Sequence, residues 1–208
     1  MKIFQLNRLV CLAVSTYVTF FSNICFAENY FSMRGGTVDY KNVTNNINES
    51  FPNLLDDLGA EVKDQTNGFS MTLGERLNNY LTLAVSFHYL GQYEMIIKNA
   101  DYQVRSTSTV SGLSGESILH VPVSNIVEPY VKLTYSQFSI NEKLSAHFPK
   151  EPKFDTEVNE KFNTNANVNF GIGINIYMFP KTSIGLNWER FDIDGKVDYF
   201  TVSLSANY

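Results

Sequence analysis

This chain has little charge and almost no cysteine: 18% of its 208 residues are charged, and it holds two cysteines, six prolines, three histidines and a single tryptophan. A charged fraction below the roughly 25% usual in soluble domains argues against disorder and against a coiled coil. Two cysteines cannot build a disulfide scaffold. The formal net charge is −5 and no basic cluster occurs, so there is no electrostatic footprint for nucleic acid. After Ala27 no run of 18 uncharged apolar residues appears, which excludes a membrane-spanning helix from there on. What the chain does have is aromatic side chains, 16 Phe and 12 Tyr.

The first 27 residues read as a separate object. Lys2 and Arg8 give a positive start, Leu9 to Phe26 is apolar and uncharged, and Cys25-Phe26-Ala27 offers the small residues that a signal peptidase reads. We expect a signal peptide over 1–27, cleaved before Glu28, and a single domain over 28–208. An uncleaved anchor helix is the alternative, weakened by Ser15, Thr16, Ser22 and Asn23. Both cysteines, Cys11 and Cys25, would leave with this leader, and neither sits in a recognisable lipidation context.

Beyond it the dominant pattern is alternation with period 2. Leu81, Leu83, Val85, Phe87 and Tyr89 alternate with Thr82, Ala84, Ser86 and His88. Ala166, Val168, Phe170, Ile172, Ile174, Ile176 and Met178 alternate with asparagines, glycines and Tyr177. The second run is longer than a typical globular strand of about 5–6 residues and suits a tilted bilayer crossing of about 9–11. Shorter runs of the same kind start near Phe31, Phe69, Leu119, Val131, Ile184 and Phe200, which brings the number of expected strands to eight.

Their connections alternate in length. Turns at Asn78-Asn79, Ser124 to Ile126 and Pro180 to Thr182 are tight, while 43–67, 92–111 and 141–163 read as long polar loops; Asp192 to Lys196 is a short exception. The expected fold class is therefore all-β: an eight-stranded antiparallel up-and-down transmembrane β-barrel. A soluble β-sandwich is the structural alternative. In a barrel the apolar face points to lipid, and the polar face, with Arg34, Arg76, His88, Glu116, His120, Lys132 and Glu189, fills the narrow lumen. Glu116 and Glu189 are the expected partners of Arg34, Arg76 and Lys132, because a buried unpaired charge costs several kcal/mol. Phe31, Tyr80, Phe179 and Tyr208 on the turn side, with Phe69, Tyr89, Tyr135, Trp188 and Phe200 on the loop side, suit two interfacial girdles.

One loop stands out. In Ser50 to Glu61, Phe51, Leu54, Leu55 and Leu58 recur at helical spacing, with Ser50 able to cap and Gly59 able to terminate. The expectation is a short amphipathic helix, either a lid over the mouth or an apolar contact for a partner.

At this point Gly68 to Gly91, Val121 to Tyr135 and Ser183 to Tyr208 together resemble the small outer-membrane β-barrel family that includes the OmpA transmembrane domain and the OmpX/Ail group. The resemblance implies residence in the Gram-negative outer membrane, contact with outer-membrane lipid and lipopolysaccharide, a monomer, and a structural or surface-interaction role such as adhesion, serum resistance or colonisation, through a host or bacterial surface ligand. It also implies that the last strand is an assembly signal for the barrel-assembly machinery, carried by Thr201, Ser203, Ala206 and Tyr208; the family prefers Gly at the position of Ser203 and Phe at the end. No periplasmic peptidoglycan-binding domain is expected after Tyr208.

No catalytic, cofactor or metal site is expected. Ser86 and His88 lie two apart and share a face, but that face is the lumen and no third member of a triad is evident. His147 is an ordinary loop histidine, and Asp56, Asp57 and Glu61 do not form a calcium loop. The alternatives that stay open are a lipid-modifying outer-membrane enzyme and a small gated pore.

Overall fold

The structure is a computed structural model that describes residues 28–50, 54–99, 101–193 and 195–208. The expected signal peptide lies outside the described residues. Ten strands form one antiparallel sheet: β1 (Glu28–Asp39), β2 (Ala60–Lys63), β3 (Gln65–Arg76), β4 (Leu81–Lys98), β5 (Gln103–His120), β6 (Val127–His147), β7 (Thr156–Asn163), β8 (Asn167–Phe179), β9 (Thr182–Asp192) and β10 (Lys196–Asn207). Eight of them close a ring in the order β1-β3-β4-β5-β6-β8-β9-β10, and β10 returns to β1 over Tyr30↔Asn207 to Asp39↔Asp198. The closure runs to the last residue, where Asn29 and Tyr208 exchange both backbone hydrogen bonds at 2.9 and 3.0 Å. A closed ring leaves no unpaired edge, which is what a strand crossing hydrocarbon requires. It replaces the sandwich alternative.

Alternation settles the two faces. Met33, Phe69, Leu73, Val85, Leu113, Leu133, Ile172, Leu186, Val202 and Leu204 all point outward and are exposed. Their neighbours Ser32, Arg34, Ser70, Thr72, Ser86, His88, Glu116, Lys132, Glu189 and Ser203 are buried inside. This is a soluble protein turned inside out, with the apolar surface reserved for lipid. Among the described residues no helix is long and apolar enough to cross a membrane.

The turns at one end are held by side chains that mimic backbone. Asn78 Oδ1 accepts from the N–H groups of Tyr80 and Leu81, and Ser124 Oγ from those of Ile126 and Val127. At the other end the long polar loops expected over 92–111 and 141–163 are mostly strand. β4 and β5 stay paired out to Lys98↔Gln103, β5 and β6 out to Gln103↔His147, and β7 adds to the outer part of β6. With β2 on the far side of β4, these strands carry a sheet beyond the barrel rim. The fourth expected strand is likewise shifted: β5 ends at His120, and Val121 to Val123 belong to the turn.

The run into the outer sheet passes through a bulge between Tyr89 and Gln92. Gly91 sits there at φ +77°, and a Cβ would lie 2.5 Å from the Asn67 carbonyl oxygen. Gly91→Ala is therefore expected to cost about 1–3 kcal/mol through strain at this position, read as a lowered urea midpoint of the folded barrel.

The segment expected as loop 43–67 contains two helices, α1 (Lys41–Ser50) and α2 (Leu54–Asp57). Asp39 Oδ1 accepts from the Lys41 N–H at 2.8 Å, and the Tyr40 carbonyl accepts from Val43 and Thr44, which starts α1 directly after β1. Of the helix expected around Ser50 to Gly59, the described residues hold α2, followed by Gly59 at φ +60°, while Ser50, expected as its cap, ends α1. Leu55 is buried and Leu58 exposed; Phe51 lies outside the described residues, and for Leu54 only the backbone is described.

Candidate functional site

The interior of the barrel has two layers. In the polar layer, β1 supplies Arg34, β5 Glu116, β6 Lys132 and β9 Glu189, each on the inward phase of its strand. The Arg34 guanidinium bonds Glu189 through Nη1, and through Nη2 donates to Glu116 Oε1 at 3.0 Å, Thr72 Oγ1 at 2.6 Å and Ser86 Oγ at 3.1 Å. Lys132 Nζ donates to Glu189 Oε1 at 2.5 Å and lies 3.6 Å from Glu116 Oε2. Two cations and two anions thus face each other with almost no exposure, so their desolvation is offset only while buried cations and anions balance.

His88 completes this layer. Its ring nitrogens lie 2.9 Å from Ser70 Oγ and 2.8 Å from Ser114 Oγ, and Nε2 is 3.7 Å from Glu116. Ser86 is bonded to Thr72 and Arg34, not to His88. The Ser86/His88 pair has no nucleophile–base contact, and both side chains are buried in the lumen.

Arg76 and His120 belong to a separate cluster near the short turns, a correction to the expected pairing of Arg76 with Glu116 or Glu189. Their partner is Glu128: Arg76 Nη2 donates to its Oε2 at 2.6 Å, Tyr177 OH to its Oε1 at 2.9 Å, and His120 Nδ1 lies 2.8 Å from Oε1. Sequence reasoning missed Glu128 because Pro129 discourages a strand there. Counting back in twos from Lys132 through Tyr130 would have placed it inside.

Above the polar layer, towards the outer sheet, the lumen turns apolar, which the sequence reading did not foresee. Val38, Tyr40, Leu90, Val110, Phe138, Ile140, Phe191, Ile193, Val197 and Tyr199 form one buried cluster, with Val43 of α1 and Tyr93 against it. Phe191 meets Phe138 edge-on at 5.1 Å between ring centroids, and His88 meets Phe191 at 5.1 Å, so His88 joins the layers. These residues continue the inward phase of the polar ones: Val38 follows Arg34 by four, Phe191 follows Glu189 by two and Leu90 follows His88 by two. The phase itself was the available signal.

Of the assembly-signal residues, Thr201 and Ser203 face the lumen, while Ala206 and Tyr208 lie on the outward phase. Among the described residues no group of His, Cys, Asp and Glu could hold a metal ion.

On the outer side, the turn after β6 is held by Asp155. Its Oδ1 accepts from the Phe148 N–H at 2.8 Å, and its Oδ2 lies 2.7 Å from His147 Nδ1. The Phe148 amide and then His147 hold the Asp155 carboxyl below the usual aspartate range. A depressed carboxylate stabilises the folded turn above its unfolded pKa and loses that effect as pH falls through the folded value. The Phe148 amide NMR shift should accordingly titrate with a midpoint below that of an ordinary aspartate; a midpoint at or above it would contradict the contact.

The sequence model described as "Outer membrane protein beta-barrel domain" matches residues 17–208. The chain belongs to that family. It is accordingly a protein of the Gram-negative outer membrane. No curated protein matches it. Among solved structures it is similar to Ail, the attachment invasion locus protein of Yersinia pestis, in complex with the heparin analogue sucrose octasulfate, at 14% identity and TM-score 0.50 over 87% of this chain and 99% of that one. It is also similar to the N-terminal β-barrel domain of Pseudomonas aeruginosa OprF, at 11% identity and TM-score 0.47 over 88% and 100%. Neisserial surface protein A matches at 12% identity and TM-score 0.47 over 88% and 99%. Such low identities speak to the family's fold alone.

Proposed function

We propose that this family barrel is a non-enzymatic surface protein, whose lumen is a sealed scaffold and whose extracellular sheet and helices carry contacts with another surface, in the service of adhesion, serum resistance or colonisation. The observation that carries this is where the chain spends its ordered structure: β4 to β7 run well past the rim, while the lumen is filled by ion pairs and then by an apolar plug. In the same reading the outward apolar belt meets outer-membrane lipid and lipopolysaccharide, the barrel acts as a monomer, residues 1–27 are a cleaved leader, and Thr201, Ser203, Ala206 and Tyr208 are read by the barrel-assembly machinery.

Catalysis fits this arrangement poorly. Ser86, His88 and Glu116 are side chains of a packed interior, to which a lipid substrate has no access. A pore fits poorly as well, since an eight-stranded ring leaves room for little beyond its own side chains.

The test is to express the chain on a Gram-negative cell that lacks it and to compare it with a variant in which residues 95–106 are replaced by Asn-Gly. That cut shortens the β4–β5 hairpin at a paired position, Glu94↔Thr107, and leaves the barrel strands intact. Binding to epithelial monolayers and survival in serum should rise with the full chain and fall to the level of cells without it for the variant. Equal behaviour of all three strains, or a lipid product formed from lipopolysaccharide or phospholipid by the purified protein, would overturn the proposal.

A further inference from the structure

At the extracellular mouth, α1, the segment joining β7 to β8 and the turn joining β9 to β10 enclose a cleft of about 500 Å³. Side-chain amides dominate its lining. Asn42 and Asn46 lie four apart and so on one face of α1, with Asn165 and Asn167 on the segment that enters β8. An amide offers both donors and acceptors, so a group of them complements the adjacent hydroxyls of an uncharged polyol better than it complements a charge. Asp192 and Lys196 also line the cleft, but they stand opposite each other in the β9–β10 register, acid against base. Among the described residues the lining therefore carries no net charge.

Two features make this a built cleft and not a gap between loops. The wall is fixed, since Asn169 Oδ1 accepts from the Asp192 N–H at 2.8 Å and Asn167 Nδ2 donates to the Asp192 carbonyl at 3.3 Å. Gly195, at φ +145°, holds a conformation that L side chains rarely adopt, and a Cβ there would lie 3.1 Å from Val43 Cγ2 and 3.2 Å from Asn46 Nδ2. Any side chain at this position would push into α1. The amides of Asn42, Asn46 and Asn165 make no hydrogen bond among the described residues, whereas Asn167 and Asn169 are committed to the wall.

We infer that this cleft binds a neutral saccharide, its adjacent hydroxyls held by the amides of Asn42, Asn46 and Asn165. The inference deepens the surface-interaction reading and rests on it. Uncharged sugars of this kind occur both on other cells and in the core of the bilayer's own lipopolysaccharide, and the two sources present the same chemistry.

The experiment titrates the full chain, folded in detergent micelles, with three probes by calorimetry: N-acetyllactosamine, the neutral hexose oligosaccharide of the lipopolysaccharide outer core freed of lipid, phosphate and acidic inner-core sugars, and a sulfated disaccharide. Saturable binding of at least one neutral probe is expected. It should weaken at least fivefold in Asn42→Ala/Asn46→Ala and in Gly195→Ala, with heat-modifiable gel migration confirming that both variants fold. Binding of N-acetyllactosamine assigns the ligand to another cell, and binding of the core oligosaccharide alone assigns it to the membrane itself; either supports the cleft. No saturable binding of a neutral probe, equal binding by the variants, or a tenfold preference for the sulfated probe would overturn it. Cell binding and serum survival dependent on the β4–β5 hairpin would then still stand, so the two readings fail separately.

Discussion

Replacing Glu189 with leucine is expected to cost the barrel about 3–5 kcal/mol, the largest effect of any single charge removal in the lumen. Glu189 is the acceptor shared by Arg34 and Lys132, and its side chain is 2% exposed. Without it, two cations face one carboxylate, Glu116, in a space closed to water. The cost comes mainly from the surplus positive charge left buried, and only in smaller part from the missing ion pairs themselves. A second substitution should therefore recover most of it: Glu189→Leu/Lys132→Met leaves Arg34 with Glu116 as a neutral pair at 3.0 Å. Urea unfolding in phospholipid vesicles, followed by the heat-modifiable band, reads both. A single variant within 1 kcal/mol of the parent, or a double variant weaker than the single, would show that these four groups are not the coupled set described here.

Truncating Phe191 to alanine should cost a similar amount, about 3–5 kcal/mol, for a different reason. Phe191 has no exposed surface and packs edge-on against both Phe138 and His88. Its removal leaves a cavity at the junction of the polar and apolar layers, where neighbours on closed strands have little freedom to collapse. Phe200 provides the contrast. It points to lipid from β10 and is 53% exposed, so Phe200→Ala exchanges a protein–lipid contact for a smaller one and should cost well under half as much. Equal effects would mean that the apolar layer does not pack as one body. The same unfolding measurement on the two variants decides it.

Period 2 is what makes most of this barrel legible in its sequence. Alternation is a strong signal wherever one face meets lipid and the other a crowded lumen, and there the strands from Phe31, Phe69, Leu81, Val131, Ala166, Ile184 and Phe200 were legible, with their inward and outward sides. Past the membrane the contrast fades. Residues 103–111 carry Ser and Thr on both faces, and every residue of β7 is exposed, so no apolar alternation marks them as strand. The bulge at Gly91 interrupts the phase of β4 where the outer sheet begins. Helix α1 was hidden in an asparagine-rich segment whose apolar positions, Val43 and Ile47, are only two.

The candidate site divides in the same way. The charged lumen residues could be named, because a charge on an inward phase is conspicuous. Their grouping could not, since whether Arg76 meets Glu128 or Glu189 depends on how strands stagger around the ring and not on any one strand's pattern. The apolar plug was read past because Val38, Phe191 and Tyr199 look like ordinary strand residues unless the inward phase is carried on from Arg34, Glu189 and Thr201. The amides of the cleft come from two separate segments and its third wall from the β9–β10 turn, and only the closed fold brings them together.

In the proposed reading this outer-membrane barrel is sealed, by ion pairs below and by an apolar layer above. Single-channel recording of the purified full chain in planar lipid bilayers tests it most directly. A sealed lumen predicts a silent baseline under applied voltage in the parent protein. Steady, resolvable conductance steps from folded parent protein would contradict the seal, and with it the reading of the lumen as a scaffold for the surface above.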